Sequence, residues 1–223
     1  MSIIDLIANT PLFKRLSKTQ HENLAKICIK RSYKRGQIIF REGRPANGFY
    51  IVASGRIKIF KVSSQGKEQI LGIFGAGEVF GEVAVFSGNC FPANAMAIED
   101  SHIIFVPRGE FISIIKEDPT LGLNMLAVLS SRLRKFTVLI ENLSLKEVGS
   151  RLAAYILYLK EQKDAEKFKL DVTKTQLASL LGTIPETLSR TLSKMNKQGL
   201  IKIEGSQIEI LDQEGLQKLA KGN

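Results

Sequence analysis

Cysteine, histidine and tryptophan are scarce in this chain of 223 residues, which has two cysteines, two histidines and no tryptophan. Cys28 and Cys90 are too few for a disulfide framework or a four-cysteine metal cluster, and neither lies in a CxxC motif. We expect each to be a small buried apolar side chain, the alternative being a redox pair. This cysteine usage fits a reducing compartment, so the sequence predicts a cytoplasmic protein.

Long apolar runs and an export signal are also missing. No stretch reaches the roughly 18 apolar residues that a membrane-spanning helix requires. The amino terminus, "MSIIDLIANTPLFKRL", has no basic region ahead of a long apolar run. We therefore expect an unexported protein with no membrane partner.

The local motifs of common enzyme classes are absent from the sequence, including GxSxG, HExxH and the P-loop. With only His21 and His102 available, acid–base chemistry would have to use carboxylates such as Glu78 and Glu82. The expected role of Glu82, which follows Gly81, is structural: it ties down a turn through hydrogen bonds. The sequence therefore predicts a protein that is not an enzyme.

Positive charge is in excess, with a formal net charge of +10 and a pI near 9.6. Such a balance favours an acidic partner, either nucleic acid or an anionic membrane surface. Residues 1–143 carry 19 basic and 12 acidic groups, and residues 144–223 carry 13 basic and 10 acidic groups. Because the excess is spread over both parts, net charge does not locate a nucleic-acid site, and only particular side chains can.

The pattern of elements changes twice along the chain. Residues 2–30 predict short helices, with Ser17 and Gln20 at the spacing of a capping box. From about 36 to 108, short β-branched and aromatic runs alternate with glycines, as in "GFYIVASGRIKIFKVS" and "GEVFGEVAVF". Many short strands without intervening helices predict a β-roll, sandwich or barrel.

A long amphipathic helix is predicted to begin at Asp118-Pro119, because Asp is a good N-cap and Pro is tolerated at the first helical position. Its apolar residues form two interleaved sets with a spacing of seven, which is typical of a coiled-coil seam. We expect this seam to meet its two-fold copy in a homodimer, the alternative being a helix packed on its own domain's sheet. The seam residues are Leu126, Leu129, Leu133, Phe136, Ile140 and Leu143.

The last part of the chain has the pattern of a winged helix-turn-helix. Thr173 and Gln176 have capping-box spacing, Gly182 can end the first helix, and a second helix begins near Pro185. Two strands about Gly205-Ser206 would form the wing, and the charged run "KEQKDAEKFK" before the motif is expected to be a solvated loop. The predicted fold is α+β, with a β-roll sensor domain (1–117), a dimerisation helix (118–144) and a DNA-binding domain (145–223).

The second helix of this motif presents side chains suited to DNA bases. Arg190 can donate two hydrogen bonds to guanine O6 and N7, and Glu186 can accept from cytosine N4 on the same face. The alternatives are a capping box between Thr183 and Glu186, and an exposed ion pair between Glu186 and Arg190. Phosphate contacts, which position a protein without reading sequence, are expected from Thr175, Thr183, Thr187, Lys194 and Lys197.

Taken together, the glycine-punctuated roll with "GEVFGEVAVF", the long helix and the winged motif resemble the CRP/FNR superfamily of bacterial transcription regulators over nearly the whole chain. The family's second helix commonly carries E-T-x-S-R, and Glu186, Thr187, Ser189 and Arg190 supply it here. The resemblance implies base reading by Glu186, Ser189 and Arg190 at a palindromic TTGA-type site in double-stranded DNA. It also implies a homodimer whose roll controls the DNA-binding domains through the long helix, with RNA polymerase as a partner if the protein activates transcription.

The resemblance also indicates which effectors and cofactors to expect. Cyclic-AMP-binding members follow the G-E motif with an Arg-Ser or Arg-Thr pair, but Pro92 and Ala93 stand at those positions, so cyclic AMP is not expected. The amino-terminal cysteine group of iron-sulfur members is missing. The stretches "FSGNCFPANAMA" and "IPETLSR" resemble the nitric-oxide-responsive DNR/HcpR-type branch, some members of which use haem.

Two histidines are the candidate haem ligands that the sequence offers. His21 lies between Gln20 and Glu22 on a polar helix face, where the alternative is a solvent-exposed side chain. His102 lies in the strand "SHIIFV", where the alternative is a hydrogen-bonded strand-end histidine. The family places its effector between the roll and the long helix, here around Phe80, Gly81, Glu82, Val83, Leu126 and Leu129. The competing hypothesis is a cyclic-nucleotide-like ligand-binding module or an enzyme on the roll, without specific DNA readout.

Overall fold

The strand-rich segment forms two antiparallel sheets in the computed structural model of the chain, which describes residues 2–14, 16–83, 90–117 and 119–222. The strands are β1 (Ile29–Tyr33), β2 (Ile38–Phe40), β3 (Gly48–Ser54), β4 (Ile57–Val62), β5 (Glu68–Phe74), β6 (Val79–Phe80), β7 (Asn94–Ala97) and β8 (Ser101–Pro107). One sheet has the order β1, β8, β3, β6, and the other has the order β2, β7, β4, β5. This arrangement confirms the predicted β-roll.

Strand β3 is buried on both of its faces, which explains its continuous apolar sequence. Successive side chains of a strand point to opposite faces of the sheet. Tyr50 and Val52 therefore lie in the interior between the sheets, while Phe49 and Ile51 lie in a second core that also contains helical residues. Helices α1 (Ile3–Asn9), α2 (Lys18–Ile27) and α3 (Arg108–Glu117) contribute to this second core, as does Leu121 of the helix that follows. Helix α3 was not predicted, and it contributes the fully buried Phe111.

A long helix, α4 (Pro119–Leu145), follows with 27 residues. It begins at the predicted proline, whereas the predicted cap Asp118 lies outside the described residues. The chain divides into two units inside this helix, one ending at Leu133 and the other beginning at Arg134. Among the helices of the described ranges, none is both long and apolar enough to cross a lipid bilayer.

The second unit contains the predicted winged helix-turn-helix around a core of its own. Its elements are α5 (Val148–Lys163), β9 (Lys167–Lys169), α6 (Lys174–Leu180), α7 (Pro185–Lys197), β10 (Ile201–Glu204), β11 (Gln207–Ile210) and α8 (Gln213–Lys221). The wing strands β10 and β11 turn at Gly205, and β9 pairs with β11 as a third strand. The predicted solvated loop at 160–169 is therefore wrong, because α5 continues to Lys163 and β9 buries Phe168.

Candidate nucleic-acid interface and effector site

The turn between α6 and α7 is built from local signals that the sequence contains. Thr173 accepts a hydrogen bond from the backbone N–H of Gln176, whose side chain accepts one from the backbone N–H of Thr173, which confirms the capping box. Gly182 has a φ of 65°, a left-handed conformation that other residues adopt only at an energetic cost. Pro185 then occupies the first turn of α7. Together these residues set the direction in which α7 leaves the turn.

Helix α7 has one apolar face and one polar face. Leu188, Leu192 and Met195 are buried in the core of the second unit. On the exposed side, Glu186, Ser189 and Arg190 lie within the first two turns of the helix. These three side chains are thus exposed at the end by which a recognition helix enters the major groove.

Both alternatives for Glu186 and Arg190 fail in the structure. The N-cap of α7 is Ile184, and no side-chain hydrogen bond caps this helix, so Thr183 and Glu186 form no capping box. Within the described part of the chain, no ion pair joins Glu186 to Arg190. Both side chains are exposed and are therefore available to an outside partner.

The predicted phosphate contacts lie on α6, on α7 and in the turn between them, in the same unit as Glu186, Ser189 and Arg190. Thr175 is exposed near the start of α6, and Thr183 is partly buried in the turn, where its N–H donates to the carbonyl oxygen of Ala178 at 2.9 Å. Thr187 is partly buried, and its carbonyl oxygen accepts from Thr191. Ser189 and Arg190 share a shallow concavity with residues of the last two turns, namely Ser193, Lys194, Lys197 and Gln198.

The interior of the roll is filled with stacked aromatic rings. The ring centres of Phe40 and Phe91 lie 3.7 Å apart with their planes nearly parallel, and Tyr50 stacks on Phe80 at 5.1 Å. Burial raises the pKa of the Tyr50 hydroxyl to about 12, so this group stays neutral at physiological pH. The sequence did not reveal that Phe91, just after the glycine-rich segment, belongs to this interior.

The Gly81-Glu82 pair lies at the edge of this aromatic cluster. Gly81 has a φ of 76°, and a Cβ atom at this position would lie 3.3 to 3.4 Å from the rings of Phe40, Phe91 and Tyr50. Glycine is thus required both by the backbone conformation and by the close packing. It allows the chain to turn so that Glu82, only 3% exposed, is buried at the edge of the roll.

The carboxylate of Glu82 is paired with a cation that the sequence analysis did not anticipate. Arg132 of α4 donates to Glu82 Oε1 and to the carbonyl oxygen of Val79, and its guanidinium lies 5.0 Å from the ring centre of Phe74. The second carboxylate oxygen, Oε2, is buried and accepts no hydrogen bond from any described group. Among the described residues, Glu82 is therefore held through Oε1, and Oε2 is left without a donor.

The other predicted effector residues do not all join this cluster. Phe80 is fully buried in the roll, whereas Val83 is 45% exposed and Leu126 is 59% exposed. Leu129 is partly buried. The structure thus brings Phe80, Gly81 and Glu82 together and adds Arg132. Residues 84–89, which continue the glycine-rich motif, lie outside the described residues.

The histidines and cysteines differ in part from expectation. His21 is buried, so its predicted exposed setting is wrong: its Nε2 atom lies 2.8 Å from the carbonyl oxygen of Phe13, because α2 packs against that turn. His102 is exposed in β8, with Nδ1 2.9 Å from the Ser32 hydroxyl oxygen. Cys28 is partly buried, and burial raises the pKa of its thiol to about 12. Cys90 is exposed, which contradicts its predicted burial.

Comparisons with known proteins match both units. The family description "Cyclic nucleotide-binding domain" matches residues 30–118, and "Crp-like helix-turn-helix domain" matches residues 150–219. The chain is 30% identical to the cyclic AMP receptor protein of Thermus thermophilus over 213 residues, which are 96% of this chain and 98% of that one. It is 31% identical to the fumarate and nitrate reduction regulatory protein of Escherichia coli over 196 residues, covering 86% and 78% of the two chains.

This chain belongs to the CRP/FNR family of transcription regulators. Among solved structures, it is similar to FixK2 from Bradyrhizobium japonicum, with a TM-score of 0.75, 27% identity, and coverage of 86% of this chain and 97% of that one. As a CRP/FNR regulator it binds DNA through its helix-turn-helix and carries an effector-binding domain of the cyclic-nucleotide-binding type. The relatives are regulators and not enzymes, which confirms that prediction.

Proposed function

We propose that this CRP/FNR regulator is a homodimer that reads a palindromic TTGA-type site through α7 and is controlled by a small effector at Glu82. The observation that carries the proposal is the exposed row of Glu186, Ser189 and Arg190 at the amino-terminal end of α7. The opposite face of the same helix is buried, so the row has a fixed orientation within its unit. Side chains fixed in this way suit direct readout of base edges.

Affinity for matched and scrambled DNA tests this proposal. The wild-type protein is titrated against a TTGA palindrome and against a scrambled duplex of the same composition at several salt concentrations. We expect tighter binding to the palindrome, together with a fall in both affinities as salt rises, because phosphate contacts release counterions. Equal affinity for the two duplexes at every salt concentration would contradict base reading.

The dimer part of the proposal is supported by the apolar surface of α4. Leu126, Leu133, Phe136 and Ile140 are exposed in the single chain, between 43% and 69%. Leu129 and Leu143 are partly buried. Exposed apolar surface of this extent on one helix commonly marks a protein interface, and proteins of this family are dimers. A second copy of α4 is therefore the proposed occupant of this surface.

Glu82 is the proposed contact for the effector. Its buried Oε2 lacks a donor among the described residues, and a ligand hydroxyl or N–H would supply one. Control requires that the ligand bind the DNA-competent state more tightly than the other state. Arg132 joins Glu82 to α4, so a ligand that shifts this pair acts directly on the proposed dimer helix.

A thermal-shift screen of small molecules tests the role of Glu82. We expect at least one hydroxyl-bearing compound to raise the melting temperature of the wild-type protein and to have no effect on Glu82→Gln. Glu78→Gln is the control, because Glu78 is exposed and, among the hydrogen bonds of the described residues, its carboxylate accepts the turn N–H of Gly75. A compound that stabilises wild type and Glu82→Gln equally would remove Glu82 from the effector site. Cyclic AMP is expected to give no shift, since no arginine stands at Pro92 or Ala93.

Nitric oxide as the signal and haem as the cofactor stay predictions. His21 already contacts a backbone carbonyl oxygen, and His102 lies exposed beside Ser32, so neither imidazole belongs to the aromatic interior of the roll. These two residues therefore do not fit a haem held in that interior. An absorption spectrum after anaerobic addition of ferrous haem and then nitric oxide tests the prediction, and a Soret band that shifts with the gas would support it.

A further inference from the structure

The joint between the long helix and the DNA-binding unit is short and carries one conspicuous contact. Helix α4 ends at Leu145 and α5 begins at Val148, so only Lys146 and Glu147 separate them. The last carbonyl groups of a helix have no partner within the helix. Nη1 of Arg151, one turn into α5, donates to the carbonyl oxygens of Leu143 and Lys146, each at 3.1 Å.

This contact is chemically suited to fix the joint. A cation at the carboxyl end of a helix complements the helix dipole, and its hydrogen bonds satisfy carbonyl groups that would otherwise lack a donor. Nε of Arg151 is buried and has no hydrogen-bond partner in the described part of the chain. The guanidinium thus reaches the end of α4 through Nη1, and its loss would leave the carbonyl oxygens of Leu143 and Lys146 without this donor.

We propose that Arg151 is a positioning residue that ties the end of α4 to α5 and thereby fixes the direction in which the dimer helix leaves the DNA-binding unit. The inference rests on the proposed function, because it matters only if two copies of α4 pair and two copies of α7 read one palindrome. Half-sites of such a palindrome lie about 34 Å apart, one turn of the double helix. A free joint would let each copy of α7 bind a half-site while lowering the effective concentration of the second copy at the other half-site.

Phe136 and Ile140 support this role of Arg151, because they belong to the same unit as Arg151 and are exposed on the last turns of α4. Arg151 thus connects, within one unit, the part of the helix proposed to pair with its copy and the fold that carries the base-reading row. Arg151 is therefore expected to act on the geometry of this connection and not on base contacts.

The test compares full-length wild type, Arg151→Met and Lys146→Met on a palindrome and on a duplex with a single half-site. For Arg151→Met we expect a loss of about tenfold on the palindrome, because the avidity gained from the second half-site depends on geometry, and no change on the half-site. Lys146→Met is the matched control, since it removes one positive charge at the same joint and leaves the Lys146 carbonyl in place. Its affinities for the two duplexes should change by the same factor.

The outcomes separate the inference from the function on which it rests. If wild type shows no preference for the palindrome over the half-site, dimeric reading itself fails. If wild type shows the preference and Arg151→Met keeps it, or loses affinity equally on both duplexes, the positioning role of Arg151 is overturned.

A second variant keeps the inference testable should Arg151→Met not fold. Arg151→Lys keeps the charge, but its ammonium lies closer to the backbone than Nη1 does and lacks the fixed planar geometry of the guanidinium. Its palindrome preference should therefore be lower than that of wild type. A wild-type preference in Arg151→Lys would overturn the role of the guanidinium.

Discussion

Replacing Arg190 with alanine is expected to weaken binding to a matched palindrome by about 5- to 150-fold per half-site, which corresponds to about 1–3 kcal/mol for one bidentate contact with a base. Arg190 is exposed near the start of α7, and among the ion pairs of the described residues none joins it to Glu186, so that carboxylate does not compete with a base for the guanidinium. Its fork of donors matches O6 and N7 of guanine, which an alanine methyl group cannot replace. Fluorescence anisotropy with labelled duplexes measures the loss.

The decisive readout for Arg190 is discrimination between duplexes and not affinity alone. Arg190→Ala should bind palindromes with a changed base at the contacted position as well as it binds the matched one. Lys218→Ala is the control, because Lys218 is an exposed cation on α8 of the same unit and is not among the residues proposed to contact DNA. That variant should bind every duplex slightly more weakly than wild type, by a similar factor, and should discriminate between duplexes as wild type does. An Arg190→Ala protein that still discriminates as wild type does would show that another residue reads this base.

Replacing Ile140 with glutamate is expected to convert the dimer into a monomer of 24.7 kDa. Ile140 is 64% exposed at a seam position of α4, where its two-fold copy would face it or its neighbours. Two buried carboxylates in such a seam would repel each other and lose their hydration. Loss of the second DNA-binding unit should then lower affinity for the palindrome by about 100-fold or more, the range that linkage of two binding units provides.

Val138→Glu is the matched control for this change. Val138 is 55% exposed on the same helix but lies on the face away from the seam, so the same carboxylate there should leave a dimer. Light scattering coupled to gel filtration gives both masses. A dimeric Ile140→Glu protein would show that the exposed stripe of α4 is not the dimer contact, and a monomeric Val138→Glu protein would show that the face is wrongly assigned.

Periodic and local features of the fold could be predicted from the sequence. The buried stripe of α6 and α7, the cap at Thr173 and the turn at Gly182 all depend on residues a few positions apart, and the structure contains each of them. The glycine-punctuated strands predicted the roll for the same reason, since turns and strands are set by neighbouring residues.

Features that depend on distant contacts were missed. Strand β9 was predicted as a loop because its three residues are mostly charged, and its place in the wing comes from pairing with β11. His21 has polar neighbours in sequence and is nevertheless buried against the turn at Phe13. No periodic signal connects Glu82 to Arg132, fifty positions apart, because that pair exists only once α4 packs on the roll.

Arg151 illustrates a third kind of feature. In sequence it is one basic residue on an amphipathic helix, where an exposed side chain is the ordinary expectation. Its role emerges only from the two carbonyl oxygens that its guanidinium reaches across the Lys146–Glu147 joint. Residues that satisfy helix ends in this way carry no signature beyond their charge, because the acceptors are backbone atoms.

Selection of binding sites from a pool of random duplexes by the wild-type protein tests the central claim most directly, because it does not presuppose the site. Dimeric base reading through α7 predicts enrichment of an inverted repeat whose half-sites lie about one helical turn apart, with TTGA-type sequence in each half. Bound DNA that shows no enriched sequence, or a single half-site without its inverted copy, would contradict the claim.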